Sequence, residues 1–143
     1  MVFEYTPAGL GVVNINLKAS AGVQYASNII DLSKHSNYGV SLIITNSGTT
    51  NAGVAKITAV SYDKTGLVQL SSTALLTAID LTADRTEYVV FGKDFAAKKV
   101  GNGTIGSDID ILRVPGMTKF VVEISTASNA ATSCVGNLRL IAK

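Results

Sequence analysis

Tyr38-Gly39-Val40-Ser41-Leu42-Ile43-Ile44-Thr45-Asn46 decides the fold class. Side chains of an extended chain alternate between two faces, so Val40, Leu42 and Ile44 share one of them. The run ends at Asn46-Ser47-Gly48, residue types that favour a turn. The same period of two extends outward in both directions. Residues 11–17 place Val13, Ile15 and Leu17 opposite Asn14 and Asn16, and a short strand is expected at Asn28-Ile29-Ile30-Asp31-Leu32. Residues 54–62 set Val54, Lys56, Thr58 and Val60 against Ala55, Ile57, Ala59 and Ser61. Asp63-Lys64-Thr65-Gly66 reads as a hairpin turn from which Leu67-Val68-Gln69-Leu70 returns. Further strands are expected over residues 73–81, 87–91, 109–114, 119–126 and 135–141. The last two read as a closing hairpin, with Phe120, Val122 and Ile124 on one face of the first and Leu138 and Leu140 on one face of the second. Only Asp94-Phe95-Ala96-Ala97-Lys98-Lys99-Val100 reads as helix, one or two turns capped by Asp94.

Eight to ten short strands with at most one short helix predict an all-β, antiparallel, jelly-roll-like β-sandwich. Pro7 and Pro115 fall between the expected strands, where a missing amide donor costs nothing. A chain of 143 residues makes one domain, expected over residues 11–143, with residues 1–10 as an N-terminal arm. That arm carries Phe3 and Tyr5, two of the nine aromatic residues, followed by Leu10. It either docks on a neighbouring subunit, as an exchanged strand would, or folds back along its own domain.

Val, Ile and Leu total 39, while Asp, Glu, Lys and Arg total 22, or 15% against a usual figure of about 25%. Mean hydropathy is +0.34. A monomer keeps its exterior wet with charge, and large exposed apolar patches are normally hidden in an interface. The composition therefore predicts a subunit covered by copies of itself or by partners. A net charge of +2 argues against nucleic acid as a partner. No run of 18 apolar residues is present, so no membrane-spanning helix is expected, and the first residues lack the features of a secretory signal.

One histidine, His35, and one cysteine, Cys134, with no G-x-S-x-G elbow, leave nucleophilic catalysis without its parts. No catalytic residue, cofactor or metal is expected, and the protein is read as not an enzyme. Gly101-Asn102-Gly103-Thr104-Ile105-Gly106 fits the G-x-G-x-x-G pattern, but the strand-before, helix-after context is reversed, so a flexible surface loop is expected. Asp108 and Asp110 share a strand face but supply too few oxygens for Ca²⁺. Cys134 reads as a buried, inert thiol. Saccharide sites rest on aromatic platforms. There is no Trp, and Tyr25 and Tyr38, near loops, are the candidate ligand contacts, whereas Tyr62 and Tyr88 read as packing residues. Lys93, Lys98 and Lys99 form the basic cluster, suited to an acidic protein surface.

Three segments carry a family resemblance. They are Ser27-Asn28-Ile29-Ile30-Asp31-Leu32 with residues 38–46, the strand 54–60 with Ser61-Tyr62-Asp63-Lys64-Thr65-Gly66, and the pair Lys119–Ser125 and Val135–Leu140. Together their order resembles small tailed-phage capsid decoration, or cement, proteins, although Lys64 stands where a Gly is common. The resemblance implies a jelly-roll-like sandwich, a homotrimer and a place on the outside of a virion, clamping the major capsid protein. It implies no catalytic residues. Phe3, Tyr5, Leu10, Lys93, Lys98 and Lys99 are the expected subunit or capsid contacts. Two alternatives are a phage tail-tube or tail-associated subunit and a carbohydrate-binding fibre or head module.

Overall fold

Alternating strands bury one face each, and two sheets of such strands close over a shared core. The computed structural model describes residues 3–5, 15–18, 21–33, 35, 37–47, 53–81, 83–92, 95–106, 116–126 and 133–142. It contains β1 (Phe3–Tyr5), β2 (Ile15–Asn16), β3 (Gln24–Ala26), β4 (Ile30–Asp31), β5 (Asn37–Ser47) and β6 (Val54–Tyr62). These are followed by β7 (Gln69–Asp80), β8 (Arg85–Gly92), β9 (Phe95–Val100), β10 (Thr104–Ile105), β11 (Met117–Thr126) and β12 (Ser133–Ala142). The first sheet runs β1-β12-β5-β8-β9, with β2 also on β12. The second runs β10-β7-β6-β11-β3, with β4 also on β11. Two short strands thus share the outer edge of β12, and two share the outer edge of β11. The expected antiparallel β-sandwich is the observed fold, with more strands than the eight to ten anticipated.

The core follows the alternation. Val40, Leu42 and Ile44 of β5 are buried, as are Ala55, Ile57 and Ala59 of β6, Phe120, Val122 and Ile124 of β11, and Leu138 and Leu140 of β12. Each such large aliphatic side chain contributes about 1.5–3 kcal/mol relative to exposure. Along β6 and β7 the register passes from Ala55↔Ile79 to Ile57↔Leu76, so Thr77 and Ala78 together oppose Lys56. Ala78 takes φ +53° at this bulge, a left-handed conformation unusual for a residue with a Cβ.

Two expectations are corrected. Residues 119–126 and 135–141 do not form a closing hairpin: β11 pairs with β6 in one sheet and β12 with β5 in the other. Alternation fixes which face of a strand is buried and says nothing about its partner. Residues 95–100 are not helical but form β9, paired antiparallel with β8 through Tyr88↔Val100, Val89↔Lys99 and Val90↔Lys98. The pairing supplies hydrogen bonds that a one- or two-turn helix could not match, so tertiary context overrides the local preference of Ala and Lys. Asp94, Asp108 and Asp110, both prolines and the strand expected over 109–114 lie outside the described residues.

Candidate functional site

Two surface features are candidate contact sites. The first is the tip of the β6–β7 hairpin. Asp63 organises it: its N–H donates to Val68 O at 2.9 Å and its carbonyl accepts from Gly66 N–H at 2.9 Å. Its Oδ1 accepts from the Thr65 hydroxyl at 2.6 Å and from the Thr65, Leu67 and Val68 amides at 3.2–3.4 Å. The Thr65 hydroxyl first, and then these amides, hold the Asp63 carboxyl below its ordinary range. On this fixed frame Leu67, Val68 and Leu70 are 84%, 56% and 65% exposed. They are half of the six exposed large apolar residues among those described, the others being Ile29, Val100 and Ile141. Beside the tip, Asp31, Ser33, Tyr62, Lys64, Gly116 and Met117 line a shallow hollow of about 200 Å³.

The second feature is a trough of about 240 Å³ on the outer face of the second sheet, where β3, β11, β6 and β7 lie side by side. Register puts Gln24, Glu123 and Lys56 in one row across β3, β11 and β6. Lys56 Nζ lies 3.3 Å from Glu123 Oε1, and Gln24 Nε2 donates to Glu123 Oε2 at 2.6 Å. The Gln24 amide, and then Lys56, lower the Glu123 carboxyl. Lys119, further along β11, holds its ammonium 5.6 Å from the centre of the Tyr62 ring.

The residues anticipated as contacts are not gathered in one place. β1 pairs along β12 of its own chain through Phe3↔Ala142, Glu4↔Ile141 and Tyr5↔Leu140, the fold-back placement of the N-terminal segment. Lys98 and Lys99 are exposed on β9, at the other end of the same sheet, with three strands between. At about 4.8 Å per strand these two groups are roughly 19 Å apart across the sheet. Lysines on an edge strand also discourage edge-to-edge pairing, which accounts for this pair without a partner. Leu10 and Lys93 lie outside the described residues.

Tyr38 is not a ligand contact. It is buried, its ring lies 5.3 Å from that of Phe91, and its hydroxyl shares its one proton between the carbonyls of Leu32 (2.9 Å) and His35. Burial, with the nearby Asp31 charge, pushes it up to about 12. Tyr25 packs against the core and donates to Asn16 O at 3.0 Å, so it too serves the fold. Cys134 is buried beside Leu81 O, and burial first, then Asp84, raises its thiol.

The Gly101–Gly106 run is not a free loop. It wraps the carboxylate of Glu87, a fully buried residue of β8, which accepts from Asn102 N–H and Gly103 N–H at 3.0 Å each. Gly101 has φ +107°, and a Cβ there would lie 2.1 Å from Glu87 Oε2; a Cβ on Gly106 would lie 1.9 Å from Ala74 O. The glycines are required for close packing where the chain crosses from β9 in one sheet to β10 in the other. Sequence reading missed the tip because Leu67-Val68-Gln69-Leu70 scans as an ordinary returning strand. The signal was available: two of its apolar residues are adjacent at the very turn, where a strand has no sheet to cover both faces.

No family model matches this chain, and no curated protein sequence matches it. Solved structures do. The structure of infectious bursal disease virus, Gx strain, aligns with a TM-score of 0.53 at 13% identity over 99% of this chain and 32% of that one. The VP2 subviral particle of infectious bursal disease virus gives 0.53 at 14% identity, over 99% and 32%. T=1 particles derived from that virus give 0.51 at 14%, over 99% and 31%. The chain spans about a third of the length of these viral chains, and at such identity the likeness is one of fold: this chain shares a β-sandwich with part of each of them.

Proposed function

We propose that this chain is a non-enzymatic structural subunit of a virus particle, a head decoration protein that assembles as a homotrimer and binds the outside of a capsid through the β6–β7 tip. The observation that carries the reading is the hairpin, bonded around Asp63, presenting Leu67, Val68 and Leu70 to solvent, on a fold shared with part of the VP2 chain of a subviral particle. Fully buried, three such side chains contribute about 4.5–9 kcal/mol. Association costs about 4–15 kcal/mol, so one tip alone binds weakly at best. A trimer offers three tips to a repeating lattice, and the second and third engagements are effectively intramolecular. Subunits that bind only the assembled lattice then stabilise it by mass action.

The test pairs light scattering with co-sedimentation of the chain with assembled heads and with free major capsid subunits. The reading expects a trimer that pellets with heads only, and a Leu67→Asp/Leu70→Asp variant that remains a folded trimer but stays in the supernatant. A monomer that pellets with neither overturns it, and hexameric rings would favour a tail-tube subunit instead.

A further inference from the structure

We infer that the trough on the outer face of the second sheet binds a small carboxylated sugar unit, of the hexuronate class. The inference does not rest on particle attachment, although Gln69, between Val68 and Leu70 of the tip, also lines the trough.

The reasoning starts from which groups in the trough are already satisfied. At one end, Glu123 is engaged by both Lys56 and Gln24, so that wall is electrically closed. At the other end, Lys119 faces the Tyr62 ring, and among the described residues no carboxylate lies within ion-pair distance of its ammonium. The trough therefore holds two ammonium groups and one carboxylate, a surplus of one positive charge. Thr58 stands between the two ends, while Ser72, in register with Val60 and Lys119, and Gln69, opposite Tyr62, lie at the Lys119 end. The floor is Val60 and Val121, each 7% exposed and so offering a narrow apolar strip.

A ligand complementary to this set has one anionic group for Lys119. It carries hydroxyls to exchange hydrogen bonds with Thr58, Ser72 and Gln69, and an aliphatic ring face to lie on the valines. The volume of about 240 Å³ corresponds to roughly eight waters at their liquid volume of about 30 Å³ each. It falls just below the range for drug-sized ligands, which limits the occupant to about one or two sugar rings. An acidic side chain of a partner protein would satisfy Lys119 but would leave the hydroxyl and amide row facing nothing.

The experiment follows amide shifts of the ¹⁵N-labelled full chain during titration with sodium glucuronate, glucose and N-acetylglutamate. Saturable shifts are expected around Thr58, Val60, Lys119 and Val121 with glucuronate, at affinities of about millimolar. Glucose should bind about tenfold or more weakly, for want of the charge-assisted contact. Lys119→Gln should reduce glucuronate to the level of glucose, and Ser72→Ala should weaken both sugars, with thermal midpoints unchanged because both side chains lie on the outer face. Absence of saturable shifts, N-acetylglutamate binding as tightly as glucuronate, or an unaltered Lys119→Gln variant each overturns the proposal, the second in favour of a protein partner.

Discussion

Replacing Glu87 tests the link between the two sheets. Its carboxylate is fully buried and accepts two backbone amides of the Gly101–Gly103 turn. Hydrogen bonds to a charged group contribute about 1.5–3 kcal/mol each, and the buried Gly103 N–H would be left without an acceptor. Release of a desolvated charge offsets part of this, so Glu87→Ala should cost about 2–4 kcal/mol, or roughly 6–12 °C for a domain of this size. Glu87→Gln keeps one acceptor oxygen and sets an NH₂ against an N–H, for about 1–3 kcal/mol. Gly101→Ala forces a Cβ to within 2.1 Å of the same carboxylate at φ +107°, adding backbone strain of about 1–3 kcal/mol to the displaced hydrogen bonds. The two sites therefore share one physical cause. In the Glu87→Ala/Gly101→Ala double variant the steric conflict is gone and the hydrogen bonds are lost only once, so its cost should fall short of the sum by about 1–3 kcal/mol. Urea unfolding followed by circular dichroism measures all four proteins. A Glu87→Ala variant within about 0.5 kcal/mol of wild type, or strict additivity with Gly101→Ala, would refute the carboxylate-centred turn.

Three further outcomes follow from local chemistry. Tyr38, with its folded pKa raised from 10.0 to about 12, favours the fold fully below pH 10 and loses that contribution as pH rises through 12; alkaline unfolding over this window should flatten in Tyr38→Phe, which itself costs about 1 kcal/mol for the lost hydroxyl bonds. Cys134, buried with a raised thiol, should resist a disulfide reagent at neutral pH in the native protein and react at once in denaturant; rapid labelling of the native chain would contradict its burial. Ala78, at φ +53° in the β7 bulge and exposed, should accept glycine with a gain of up to about 1 kcal/mol, seen as a higher urea midpoint.

Much of the sandwich was legible because a half-buried strand must alternate. Val40, Leu42 and Ile44, read from nine residues, are core residues of a central strand. The partners were not legible. Phe120 and Leu138 each declare an inward face, yet nothing local distinguishes two strands that pair from two that face each other across the core. β9 was misread for a related reason. Ala96, Lys98 and Lys99 have no strong β preference, and it is the edge of β8 that makes them a strand. The trough depends on the same hidden information, since Gln24 and Glu123 are 99 residues apart and meet only through β3–β11 register.

The low charge count admits a more specific interpretation than a wholly covered exterior. Outward positions on the sheets are held by Ser41, Thr45, Thr58, Ser72, Thr77 and Thr86, none of which is buried. Hydroxyl residues hydrate a sheet face while keeping good β geometry, so they substitute for charge without creating an apolar patch. Most of the aliphatic excess is inside: Leu17, Leu32, Leu75, Leu76, Ile79 and Leu81 are all fully buried. Composition alone therefore does not require a partner over the whole surface. What does call for one is the local imbalance at Leu67, Val68 and Leu70, where the turn bonded around Asp63 displays apolar side chains instead of the hydroxyls used elsewhere. If that tip has no partner, exchanging all three for Thr should leave every assembly property unchanged while improving solubility. If it is the attachment point, the same exchange should abolish lattice binding and leave the sandwich intact, because none of the three belongs to the core.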